Sequence, residues 1–179
     1  LTAPRERTDT LPTELPERTL GYHAAAWMVD NLVQPNGPRA GQAFIPTDRQ
    51  IEFLAHFYAL NHKGSLVYRQ GIRRLSKGSG KSPFAAALCL FELLGPCRFD
   101  GFDRHEPFGV RAKPMSMPLV QIVATSESQT QNTIRMVRAF CQKKGKLARK
   151  YDLEVAKTFI ETPGGGKLQQ MTSSAHSME

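Results

Sequence analysis

The stretch RRLSKGSGKSPFAAALCLFELLGP, residues 73–96, constrains this chain more than any other. Glycines at 78 and 80 precede Lys81 and Ser82, and an apolar run of helical character follows at once. A tight loop of this kind aims consecutive backbone N–H groups at one point, and the positive end of the following helix adds to them. Glycine admits positive φ and leaves no Cβ in the way. The pattern therefore fits a polyphosphate cradle made by Gly78, Ser79, Gly80 and Lys81, with Lys81 reaching the β- and γ-phosphates and the Ser82 hydroxyl ligating Mg²⁺. Pro83 falls in the first helical turn, where its missing N–H has no intrahelical partner to lose. Such loops usually read G-x-x-x-x-G-K-[ST]. Leu75 stands in the slot of the first glycine, which mainly shapes the entry of the turn.

Around this loop the chain reads as alternating strands and helices. Residues 1–19 are proline-rich and aperiodic, which predicts a flexible arm. Residues 20–33 predict a helix, broken by QPNGPRAG. Thr47 and Gln50 form a capping-box pair before Ile51, Leu54, Phe57 and Tyr58, which recur at helical spacing. SLVYRQGIRRL predicts a strand over about 65–73, and Arg73 and Arg74 read as solvated residues at its end or as trans-acting cations. The helix after the glycine loop is expected to stop at Gly95-Pro96. Residues 97–117 show no pattern and read as a long loop. PLVQIVATS predicts a buried strand, and Ser126 with Gln129 a second capping box opening a helix over about 127–144. KTFIETPGGGKLQQMTS predicts a hairpin around Gly164–Gly166. Strand–loop–helix followed by strand–helix predicts an α/β fold with a parallel sheet and right-handed crossovers.

Composition narrows the function classes. No apolar run approaches the roughly 18 residues of a membrane span, and the N-terminus does not read as a signal peptide. Cys89, Cys97 and Cys141 are odd in number and widely spaced, which argues against disulfides and a zinc site and suits a reducing compartment. The formal charge of +8 suits an anionic partner or a basic surface. From Arg135 to Lys150 the chain carries seven cations and no acid. Lys143, Lys144 and Lys146 read as contacts to a phosphate backbone, or as a solvated helix end.

The run VYRQGIRRLSKGSGKSPFAAALCLFELLGP, with VQIVATSESQTQNT after it, resembles the ATPase domain of large terminase subunits, the DNA-packaging motors of tailed bacteriophages, and most of all those of actinobacteriophages. The likeness spans about residue 20 to the end. It implies a P-loop NTPase-type three-layer fold with a mainly parallel sheet, with residues 20–179 as the front part of an ATPase domain. Members often lack the first loop glycine and carry a basic residue three positions before the Gly-Lys pair. That residue is Lys77 here, where many members have Arg. Catalytic roles are implied for Lys77 and Lys81, and nucleotide contacts for residues 77–82. In FIPTDRQ, Pro46 and Gln50 match an element that contacts adenine, and an amide can pair both ways with adenine's N6 and N7 edge.

ATP and Mg²⁺ are the implied cofactors. The implied partners are double-stranded DNA, a portal protein, a small terminase subunit and further copies in a ring, in the host cytoplasm and without a membrane. Hydrolysis also needs a strand ending in Asp, usually followed by Glu, and the sequence holds none. Asp30 and Glu92 end apolar runs but read as helical. The acidic strand and the nuclease domain of the family are expected beyond Glu179, so the parent reads as an ATPase and the 179 residues alone as short of turnover. The alternatives are a non-catalytic nucleic-acid-binding fragment or prophage remnant, or part of another P-loop ATPase such as a helicase.

Overall fold

A computed structural model describes residues 14–124, 127–142 and 145–172, with the side chains of 127–130 and 172 left aside. Two helices form the N-terminal unit, α1 (Gly21–Asn31) and α2 (Asp48–Phe57). They meet backbone to backbone because residue 21 has no side chain: a Cβ there would lie 2.4 Å from the carbonyl carbon and oxygen of Leu54. The Thr19 hydroxyl donates to the Ala55 carbonyl at 2.7 Å and accepts the Gly21 N–H at 2.9 Å. The Arg18 carbonyl accepts the Leu60 N–H. Residues 18 and 19 are therefore tied into the fold, while residues 1–13 of the expected arm lie outside the described residues. The capping box forms as the sequence indicates, with Gln50 Oε1 accepting the Thr47 N–H at 2.9 Å.

Helix α3 (Lys81–Leu94) begins at the glycine loop and ends where Gly95 donates back to the Phe91 carbonyl at 2.7 Å. Phe84, Ala86, Ala87, Leu90, Phe91, Leu93 and Leu94 are buried along it, which makes α3 the middle of the hydrophobic core. Trp27 of α1 packs on Phe91 at 5.8 Å between ring centroids.

Strands β3 (Leu119–Ala124), β4 (Glu154–Val155), β5 (Phe159–Glu161) and β6 (Lys167–Thr172) form a sheet in the order β3-β6-β5-β4, with α4 (Glu127–Phe140) and α5 (Lys146–Tyr151) between β3 and β4 in the chain. The α/β class is as expected. The sheet is mixed: β3 and β6 run parallel, and the other two pairs are antiparallel. Helices α3 and α4 lie against one face, where Ile122, Leu168 and Ile160 are buried. The other face is open among the described residues. Leu119, Val123 and Met171 are exposed on it, so β3 is buried on one side only.

Two segments depart from the sequence reading. Residues 65–73 form no strand. They make a single bridge, Leu60 to Leu66, and Leu66, Val67, Tyr68 and Ile72 are exposed. β-Favouring residues make a strand only where a neighbour completes the ladder, and no described strand lies alongside. Conversely, the supposed long loop holds an antiparallel hairpin, β1 (Arg98–Phe102) and β2 (Val110–Lys113). A bulge between Phe99 and Gly101, with Gly101 at φ +133°, disrupts the two-residue period that would have revealed it. Phe99 and Phe102 pack at 4.6 Å and Lys113 pairs with Asp100 at 2.9 Å. The proposed Ser126–Gln129 cap lies outside the described side chains.

Candidate functional site

The glycine loop sits at the surface at the start of α3. Gly78 and Gly80 take φ of +85° and +75°, the left-handed region, with open space around both. Conformation, and not room, therefore demands glycine here. Gly80 is the N-cap of α3, and its carbonyl accepts the Phe84 N–H at 3.2 Å. The first-turn N–H groups of Lys81 and Ser82 have no intrahelical acceptor, and Pro83 has no N–H to leave unpaired. The loop is closed by its own lysine: Lys81 Nζ donates to the carbonyls of Leu75 at 2.8 Å and Ser76 at 2.5 Å. Ser79 Oγ donates to the same Ser76 carbonyl at 2.8 Å. Leu75 thus contributes a carbonyl to the turn that a first glycine would otherwise shape. Among the described residues Lys77 and Ser82 have no side-chain hydrogen bond or ion pair. Lys77 is exposed and Ser82 half-buried.

The segment entering the loop is held by aromatic rings. Gly71 lies so close to α2 that a Cβ would sit 2.8 Å from the Phe57 ring and 2.9 Å from Phe53. The Arg73 guanidinium lies over Phe84 at 4.5 Å and over Phe53 at 5.3 Å. Two ring faces make this a cation–π clamp between α2 and the first turn of α3, each contact worth about 0.5–1 kcal/mol at a site this exposed. Arg73 is therefore engaged within its own chain and packs against two rings. Partial burial pulls its pKa down. The clamp continues inward through stacked and edge-on contacts from Phe53 to Phe57, Tyr58, Phe91 and Trp27. Of this path, the sequence reading had singled out Phe57 and Tyr58, at helical spacing on α2.

Gln50 lies on α2, buried, with Oε1 committed to the Thr47 N–H. Its Nε2 has no partner among the described residues. Asp30 is on α1 and Glu92 on α3, as read from the sequence. Glu92 has a structural occupation: Tyr58 donates its O–H to Glu92 Oε1 at 2.5 Å, and Arg98 Nη1 donates to Glu92 Oε2 at 3.0 Å. Burial first, then the Glu92 charge, hold the Tyr58 phenol well above its ordinary range.

The basic run divides. Lys146 Nζ donates to the Asp30 carbonyl at 2.8 Å and Lys150 Nζ to Asn31 Oδ1 at 2.7 Å. Both cations thus meet the negative C-terminal end of α1 and fasten α5 to it. Lys143 and Lys144 lie outside the described residues. Among the described residues no helix is long and apolar enough to cross a membrane.

Comparison with known proteins places this geometry. The fold is similar to part of a large terminase: it matches the crystal structure of the HK97 bacteriophage large terminase with a TM-score of 0.64 at 13% identity, over 90% of this chain and 29% of that one. In sequence it is 37% identical over 184 residues to the Gene 13 protein of Mycobacterium phage L5 and 36% identical over 182 residues to that of Mycobacterium phage D29. Each match covers 92% of this chain and 30% of the relative, so the chain spans less than a third of the length of these relatives. No family model matches it.

Proposed function

We propose that this chain is the nucleotide-binding part of a phage DNA-packaging motor, using MgATP to drive double-stranded DNA into a procapsid within the host cell. The observation that carries the reading is the loop at the head of α3. It has two left-handed glycines, a lysine positioned over the loop and free first-turn donors, and it sits on a terminase-like fold. The donor set fits a triphosphate. The Lys81 and Ser82 N–H groups and Lys81 Nζ would bind phosphate oxygens, and the Ser82 hydroxyl would be one oxygen ligand for Mg²⁺. The bound metal would neutralise developing phosphate charge, and this chain's own contribution is binding and orientation. Lys77, exposed two residues before Ser79, is placed to add positive charge along the loop. Gln50 Nε2 and the second lone pair of its Oε1 remain for a base edge after the cap is satisfied. Ring formation and the portal and small-subunit partners follow from the same reading.

Lys81→Ala is expected to abolish MgATP binding, measured by titration calorimetry, while duplex DNA binding stays within about twofold. Equal nucleotide affinity in wild type and variant would defeat the reading and favour a nucleic-acid-binding fragment with a vestigial loop.

A further inference from the structure

A cation-lined pocket lies where α4 meets β6 and the turn before β5. Arg135 and Arg138, one helical turn apart on α4, and Lys157 with Thr158, in the turn before β5, line one pocket of about 170 Å³. Gln131, Ile134 and Gln170 complete its lining. Five other cations of the described chain, Arg18, Arg98, Arg111, Lys113 and Lys167, are paired with carboxylates. Arg135, Arg138 and Lys157 are not: among the described residues none has an acidic or hydrogen-bonding partner, and all three are exposed. Like charges gathered without a counter-ion repel one another, so the arrangement is stabilised by an anion. A second observation points the same way. Gln170 Oε1 is buried here without a partner, which is costly for an amide unless something in the pocket completes it. A half-turn of that amide presents Nε2 as a donor to the same space.

We propose that this pocket binds a phosphodiester of duplex DNA, with Arg135 and Arg138 taking the phosphate oxygens from one wall, Lys157 from the other, and Thr158 and Gln170 adding neutral donors. Two guanidinium forks suit a tetrahedral phosphate, each able to give two parallel N–H···O bonds. The chain would then have a phosphate site separate from the glycine loop and from the expected contact at Lys143, Lys144 and Lys146. The inference rests on the packaging reading for its choice of duplex DNA.

The test measures binding of a labelled random duplex to the whole protein by anisotropy, from 50 to 200 mM salt, alongside MgATP calorimetry on the same samples. Arg135→Gln/Arg138→Gln should lower the log–log salt slope by about two and Lys157→Gln by about one, with affinity falling by about tenfold or more for the double variant. Far-UV circular dichroism and MgATP affinity should be unchanged. Unchanged slopes in variants of a protein that binds duplex would overturn the site and leave the nucleotide reading standing. No duplex binding by wild type would also overturn it. Reduced slopes in a protein that fails to bind MgATP would uphold the site and remove the motor reading. Displacement of the duplex by polyglutamate as effectively as by polyphosphate of equal charge would overturn DNA as the occupant and assign the pocket to an acidic protein segment.

Discussion

Cys141 is fully buried behind Phe140 at the end of α4, and burial alone pushes its thiol from the ordinary 9.0 up to about 12. Cys89 rises to about 12 for the same reason, with the Glu92 charge adding to it, and Cys97 and Tyr58 are raised as well. In every case the fold favours the protonated form. Stability from these groups is complete below pH 9, where unfolded thiols are still protonated. For Cys89 and Cys141 it is lost as pH rises from about 9 toward 12, by about 1.4 kcal/mol per pH unit for each thiol. Thermal melts should therefore show Tm falling steeply over that interval, and Cys141→Ala should flatten the fall even though its Tm at neutral pH is lower. An identical slope in the variant would show that the thiol does not titrate with unfolding. Cys89 and Cys141 fall on apolar helix faces in the sequence, so their place against the core was legible, whereas Cys97 fell in the segment read as a loop. The Tyr58–Glu92–Arg98 group was not, because 34 residues separate the phenol from the carboxylate and nothing local links them.

Among the elements, α2 and the Gly164–Gly166 hairpin follow from sequence because their signals are local: a cap three residues from its partner, and a turn between two short β-favouring runs. The 98–113 hairpin escaped because its bulge breaks the alternation. The 65–73 run misled because strand formation depends on a neighbour that no local pattern encodes. The glycine loop was legible from Gly78, Gly80 and Lys81, whereas the Arg73 clamp that holds it required knowing that Phe53 and Phe84 face each other. Gly21 tests the packing of α1 on α2. Gly21→Ala forces a methyl group into the Leu54–Ala55 backbone, which cannot yield without separating the helices. A cost of about 2–3 kcal/mol is expected, or about 5–10 °C in Tm. Gly164→Ala, where nothing lies within 4 Å, should change Tm by less than about 1 °C. Equal effects at the two positions would mean that the helices can separate freely.

For the molecule as a whole, the open sheet face carries the next consequence. Parallel pairs are normally covered on both sides, yet Leu119, Val123 and Met171 face outward and, among the described residues, β3 offers an unpaired edge. The chain is expected to self-associate in isolation through this face. Leu119→Lys/Val123→Lys should shift it toward monomer in sedimentation velocity, with its circular dichroism unchanged. A wild-type chain that sediments as a monomer at tens of micromolar would contradict this. The same face explains why the sequence read PLVQIVATS as a fully buried strand: its apolar residues suit two covered sides, and the described fold covers one.

The β3–β6 pair also sets an order of events in time. Leu119 meets Lys167 only after a loop of about 48 residues closes, an entropic cost that grows with the logarithm of that length. The α1–α2 contact at Gly21 and Leu54 closes a loop of about 33 residues by packing helices whose own hydrogen bonds are local. A chain emerging from the ribosome can thus assemble the helical pair and begin α3 before either strand of the parallel pair has its partner. The glycine loop would then acquire its shape on the helical side of the molecule, with the sheet arriving last.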